Sequence, residues 1–271
     1  LMVYSPTWFL LKQEGLLVQA CLCNGLTALR HANLGDKKGL FYSALFELSI
    51  GFERLLKLIL ILDHMANNKL APPPSKYIAG FRHDLIRLFD ATKAVCAARG
   101  LTFLDAFPPD SLPIRILDFL DRFADTGGRY SNINKLTGHK HQAADDPIVK
   151  WGEIASRIMR EQATPRGRQR AQLNGQMVSA AFGGVAASLV SDLNQQLMDI
   201  APLHVRISEL DTAARYAIYA LVTLIAALRE VLGSLCGSAR TANPPGNSGV
   251  DDVPDMKEFF QFAWTDRQYV M

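Results

Sequence analysis

The stretch from Leu40 to Met65 (LFYSALFELSIGFERLLKLILILDHM) constrains this chain most. Its apolar residues fall on every side of a helical cylinder, and no period-2 alternation runs through it. A helix of that kind has to be covered on most of its faces. The rest of the chain must therefore supply helices that wrap it. Strand signals are nearly absent: no clean alternating run occurs, and no Asn-Gly or Asp-Gly turn sits between alternating segments. The expected fold class is all-α.

Helical periodicity and its punctuation place the remaining elements. Helices are expected at about 14–34, 40–66, 82–99, 111–125, 147–162, 169–200 and 211–237, with a short one near 254–263. Pro72-Pro73-Pro74 closes one connection. Pro108-Pro109-Asp110-Ser111 opens a helix with Ser or Asp as its cap, and Gly127-Gly128 ends it. Asp145-Asp146-Pro147 starts the next in the cap-then-proline order. Ala163 to Arg170 and Ser238 to Val253 are polar or rich in Pro, Gly, Asn and Ser, and read as linkers. The expected organisation is a helical core with its N-terminal helix over 1–162, a C-terminal helical layer packed on it over 163–237, and a linker with an aromatic tail over 238–271.

Composition narrows the class of function. With 271 residues, 49% hydrophobic and 20% charged, the chain is too apolar for disorder. A net charge of +3 is too small to imply a nucleic-acid partner by itself, so any basic footprint has to be local. The four cysteines form no CxxC pair and read as reduced thiols in a cytoplasmic protein. The longest apolar run, Tyr216 to Leu228, is short of the ~20 residues a bilayer core needs, and the N-terminus lacks the basic region of a signal peptide. No membrane span and no cofactor are expected.

Several constellations are candidates for chemistry. Inside the apolar helix lie Glu47, Glu53, Arg54 and Lys57. Glu53 and Lys57 have the spacing and order of an intrahelical pair. Glu47 and Arg54 share a stripe that is either an exposed or dimer-facing strip or a polar groove facing a ligand. His83 stands before Asp84 at a helix start, where it either anchors a loop to a neighbouring helix or needs a second polar group to act in catalysis. The segment Gly127-Gly-Arg-Tyr-Ser-Asn-Ile-Asn134 joins Arg129, Tyr130 and Asn134, suited to pair with a phosphate, stack on a base and hydrogen-bond it. The same residues also make an ordinary interhelical loop. His139, His141 and Asp145, with Asp146 beside them, have metal-ligand spacing or form a solvated loop. Arg157, Arg160, Arg166, Arg168 and Arg170 are the densest positive run, offset by Glu161 alone, and suit phosphate contacts or a solvated linker. Phe259, Phe260, Phe262, Trp264 and Tyr269 make a tail that docks on its own body, a twin subunit or another protein.

The order of a long apolar helix, His83-Asp84-Leu85 at a helix start, and Arg129-Tyr130 ahead of a later helix resembles the HEPN superfamily over roughly residues 37–162. These are small all-α domains found beside nucleotidyltransferases and in toxin–antitoxin and phage-defence systems. The resemblance implies a HEPN-like bundle and an RNA or nucleotide context. The ribonuclease members carry Arg, four to six residues, then His. From Arg129 those positions hold Asn134, Lys135 and Leu136, so the resemblance implies binding without the standard hydrolytic pair.

The leading expectation is an RNA- or nucleotide-associated protein of bacterial defence or toxin–antitoxin type. A non-enzymatic scaffold holding a protein partner through its tail is the second, and a metal-dependent hydrolase the third. A homodimer through helix 40–66 is expected, because that helix offers more apolar surface than one subunit is expected to cover.

Overall fold

A computed structural model describes residues 3–125, 133, 136–138, 146–182, 190, 197–242 and 250–266. Among them the fold is all-α. Its helices are α1 (Pro6–His31), α2 (Gly39–Asn67), α3 (Ser75–Ala79), α4 (Leu85–Ala98), α5 (Leu112–Asp125), α6 (Pro147–Glu161), α7 (Pro165–Phe182) and α8 (Ile200–Ala242), followed by a 3₁₀ turn at Met256–Phe260. One exception to helix is a two-residue parallel ladder that pairs Val3 with Val250 and Tyr4 with Asp251. So short a ladder leaves no period-2 trace in a sequence.

The helix starts follow local chemistry. Ser5 accepts from the Trp8 backbone N–H at 3.1 Å and Pro6 opens α1. Asp146 accepts from the Ile148 N–H at 2.9 Å with Pro147 behind it, as expected. Thr164 accepts from the Gly167 N–H at 3.1 Å ahead of Pro165. Ala163 to Arg170 is therefore a helix start, and the expected linker shrinks to residues 162–164. Ser111 stands where expected, just before α5, but its hydroxyl is buried with no hydrogen-bond partner.

Helix α2 is the axis of the molecule. It lies antiparallel to α1, and glycines set the approach: a Cβ on Gly25 would stand 2.9 Å from the Leu48 backbone nitrogen, and one on Gly51 2.7 Å from Leu22 Cδ2. Helices α4, α5, α6 and α8 cover its other faces. Leu45, Leu48, Phe52, Leu55, Leu56 and Ile59 are all buried within one chain. The surplus apolar surface that argued for a dimer through helix 40–66 is thus taken up by the chain's own helices.

Other expectations on extent are corrected. Helix α1 begins eight residues earlier than about 14, because Lys12 and Glu14 sit on its outer half and do not break it. The helix expected at 169–200 is Pro165–Phe182, and 211–237 is part of a helix that carries several charges yet is unbroken from Ile200 to Ala242. The break expected at 238 falls inside that helix. Beyond it, Val253, Met256, Phe260 and Ala263 are buried between α1 and α8. Arg240 donates to the Val253 carbonyl at 3.0 Å and Lys257 pairs with Glu230 at 2.7 Å. Phe259, Phe260 and Phe262 pack on the chain's own body, the first of the expected docking alternatives, while Trp264 stays exposed and Tyr269 lies outside the described residues.

Helix α8 is long and apolar enough to cross a membrane by length and composition, and 61% of its apolar window is buried inside this fold.

Candidate functional site

The charges of α2 are engaged within the chain. Glu53 receives Lys57 at 2.6 Å and His83 Nδ1 at 2.9 Å, while Lys57 also donates to the Arg82 carbonyl at 2.7 Å. Burial pushes the Glu53 carboxyl up, but the hydrogen bonds from Lys57 and His83 outweigh it and hold the carboxyl below its usual value. The expected Glu53–Lys57 pair forms, and His83 anchors its loop to the neighbouring helix. Arg82 adopts a left-handed backbone conformation (φ 50°) that turns its carbonyl to the lysine.

Glu47 and Arg54 both turn toward α1. Arg54 pairs with Glu14 of α1 at 2.6 Å. Glu47 accepts from the Cys21 thiol, and burial followed by this carboxylate pushes that thiol above its ordinary value. Both residues join α1 to α2. Burial also raises Cys96 and Cys236 to about 11, which leaves them as inert packing groups.

The arginine run behaves differently. It lies on the elbow where α6 ends and α7 begins. Arg168 is drawn back to the Ala163 carbonyl at 2.7 Å and the Met159 carbonyl at 3.3 Å, closing the C-terminus of α6. Arg157 pairs with Glu161 at 2.5 Å, and Arg115 reaches the same carboxylate from α5 at 3.0 Å. These two cations hold the Glu161 carboxyl below its ordinary value, the Arg157 bond most. Arg160, Arg166 and Arg170 are exposed and make no ion pair among the described residues. Arg166 and Arg170, one turn apart, share one face of α7 at its N-terminal end, where the helix dipole adds to the positive potential.

Arg129, Tyr130, Asn134, His139, His141 and Asp145 lie outside the described residues. Among the described residues no group of three or more His, Cys, Asp or Glu side chains is placed to hold a metal ion.

Two structural partners were not legible in the sequence. Asp121 of α5 accepts from the Leu85 N–H at 2.5 Å and shares the N-terminus of α4 with Asp84, which takes the Arg87 N–H at 2.8 Å. Burial raises the Asp121 carboxyl despite that bond. Arg115 completes the Glu161 cluster from a separate helix. Neither has a local spacing to announce it, since both act across the bundle.

Comparison of the chain with models of known families, with characterised proteins and with solved structures finds no match. The class that the structure defines is a large all-α bundle around one buried axial helix.

Proposed function

We propose that this chain is a non-catalytic helical protein that binds RNA, or a nucleotide-bearing ligand, through the arginine-lined elbow of α6 and α7. The exposed state of Arg160, Arg166 and Arg170, with no ion pair among the described residues, carries this reading. Elsewhere in the described fold, arginines are used to bind neighbouring elements: Arg54, Arg99, Arg206 and Arg240 all close contacts between segments. Exposed cations at one helix junction supply a sequence-independent attraction for phosphates. The resemblance to the HEPN superfamily supports a bacterial defence or toxin–antitoxin setting, and the lack of an Arg-to-His pair supports binding without hydrolysis. In this reading Arg129, Tyr130 and Asn134 add base selectivity to the charge of the elbow.

Fluorescence anisotropy with a short single-stranded RNA tests the proposal. The wild type is expected to bind at low salt with an affinity that falls steeply as salt rises. Replacing Arg160, Arg166 and Arg170 with Ala should weaken binding to every sequence and flatten the salt slope by about one unit for each phosphate no longer neutralised. Replacing Arg129 with Ala should instead cost preference among sequences. Absence of binding at low salt removes this function.

A second reading has its own observation. Trp264 remains 61% exposed next to buried Phe260 and Ala263, as a contact on a scaffold would be. That scaffold would recover a stoichiometric protein partner and no RNA. The metal-hydrolase reading rests on His139, His141 and Asp145, which lie outside the described residues.

A further inference from the structure

Helix α1 buries one face against α2 and leaves a second apolar face open. Phe9, Leu10, Leu16 and Leu17 are 56%, 67%, 48% and 42% exposed. On a helical cylinder they flank Gln13, with Phe9 and Leu16 to one side and Leu17 and Leu10 to the other. Ala20 extends the stripe and no charge interrupts it. The order is symmetric about Gln13: Phe9 and Leu17 lie four residues away on either side, Leu10 and Leu16 three. Tyr4 and Trp8 pack around Phe9, with ring centroids 6.2 and 5.2 Å away, so the end of the stripe is a preformed aromatic anchor.

We propose that this stripe is the contact between two copies of the chain, paired antiparallel about a twofold axis beside Gln13. An isologous interface requires a surface complementary to its own rotated image. Here that rotation keeps each side of the stripe on its own side, setting Phe9 of one copy against Leu16 of the other, and Leu10 against Leu17. The two Gln13 amides meet at the axis, where each offers a donor to the other's acceptor. The stripe offers roughly 400 Å² of apolar side-chain surface per copy, typical of the largest patch on a monomer. With its rim, a pair would bury about 1,000 Å² in total, the lower edge of specific interfaces, which fits a dimer that depends on concentration. The uncharged stripe gives an anionic membrane or a charged peptide nothing to pair with. This inference stands apart from the arginine elbow and does not rest on RNA binding.

Sedimentation velocity on the full chain over a wide concentration range tests it. The wild type should pass from monomer to twice the monomer mass. The double variant Leu10→Glu, Leu17→Glu should stay monomeric, with a circular dichroism melt close to wild type because both side chains already face solvent. As an independent arm, Gln13→Cys should give a disulfide-linked dimer under mild oxidation, well above both the wild type, with its native thiols, and Asn24→Cys, whose two copies would stand far apart along the pair. The pairing is overturned if the wild type is monomeric throughout, if the double variant still dimerises, or if Gln13→Cys links no faster than Asn24→Cys. Uptake of the wild type, as monomer, by neutral phosphatidylcholine vesicles would overturn it too, and assign the stripe to lipid.

Discussion

Two sets of charges in this chain meet opposite ends. Glu53 and Lys57 lie on the axial helix and the fold closes around them: Glu53 is 14% exposed and bonded to Lys57 and to the exposed His83 of the neighbouring loop. Arg160, Arg166 and Arg170 lie exposed at the junction of α6 and α7, and no carboxylate among the described residues pairs with them. The difference is one of surroundings. A charge within an apolar helix has to be paired to be retained there at all. A charge on an elbow keeps its water and needs no partner, which leaves it available to an outside phosphate.

The enclosed side of this contrast should carry nearly all of the stability. The largest loss is expected from ending the chain after Ser238. That cut removes the last turn of α8 together with buried Val253, Met256 and Phe260 and the Lys257–Glu230 pair. A linker-like tail would be dispensable; this one should take many degrees from the midpoint of a circular dichroism melt. Next, Phe52→Ala should cost ~3–5 kcal/mol in urea unfolding, since its ring is fully buried on the axial helix. A loss below ~1 kcal/mol would show that α2 is not the axis.

Glu53→Gln should be milder, about 1–2 kcal/mol, because it leaves Lys57 half-enclosed with a carbonyl as its remaining partner. The same residue sets an acid limb. Its carboxyl is held below the usual 4.5, so the stability it contributes is present above that value and is lost as pH falls through the lowered one. Asp121 works in the opposite sense: its carboxyl is raised from 3.8, so protonation on acidification relieves a strain that ionisation imposes. Melts taken from neutral pH to about pH 3 should show a shallower acid decline for Glu53→Gln and a steeper one for Asp121→Asn. Parallel curves for all three proteins would break the assignment of the acid limb to these groups.

The smallest stability effect belongs to the elbow. Replacing Arg160, Arg166 and Arg170 with Ala should move unfolding by no more than ~0.5 kcal/mol while it reduces the salt dependence of RNA binding. A large stability loss would mean that these arginines are engaged after all, and the contrast between the two charge sets would collapse.

Much of the fold was open to reading one residue at a time. The buried character of 40–66, the Asp146-Pro147 start and the Glu53–Lys57 pair all follow from spacing along a single helix, which the chain determines locally. The Thr164-Pro165 start had the same signal, hidden under the polar, basic composition that suggested a linker. The candidate site was legible as a run of arginines, but not which of them remain open. Arg157 pairs with Glu161 within α6, but Arg168 turning back to the end of α6 and Arg115 joining the same Glu161 arise only when α5, α6 and α7 come together.

The class of fold follows from the chain's own pattern, because an all-round apolar helix has to be covered on most sides and strand signals are nearly absent. What covers it is a matter of packing between distant segments. Whether α2 meets a second subunit or its own chain depends on how α1, α4, α5, α6 and α8 fold back, and on Gly25 and Gly51 letting α1 approach closely. The fate of the aromatic C-terminal segment was settled the same way. The Pro, Gly, Asn and Ser composition of 238–253 reads as a linker, but composition does not state where the chain beyond it packs. Phe260 finds its place between α1 and α8 because burying that ring removes more apolar surface from water than leaving it free.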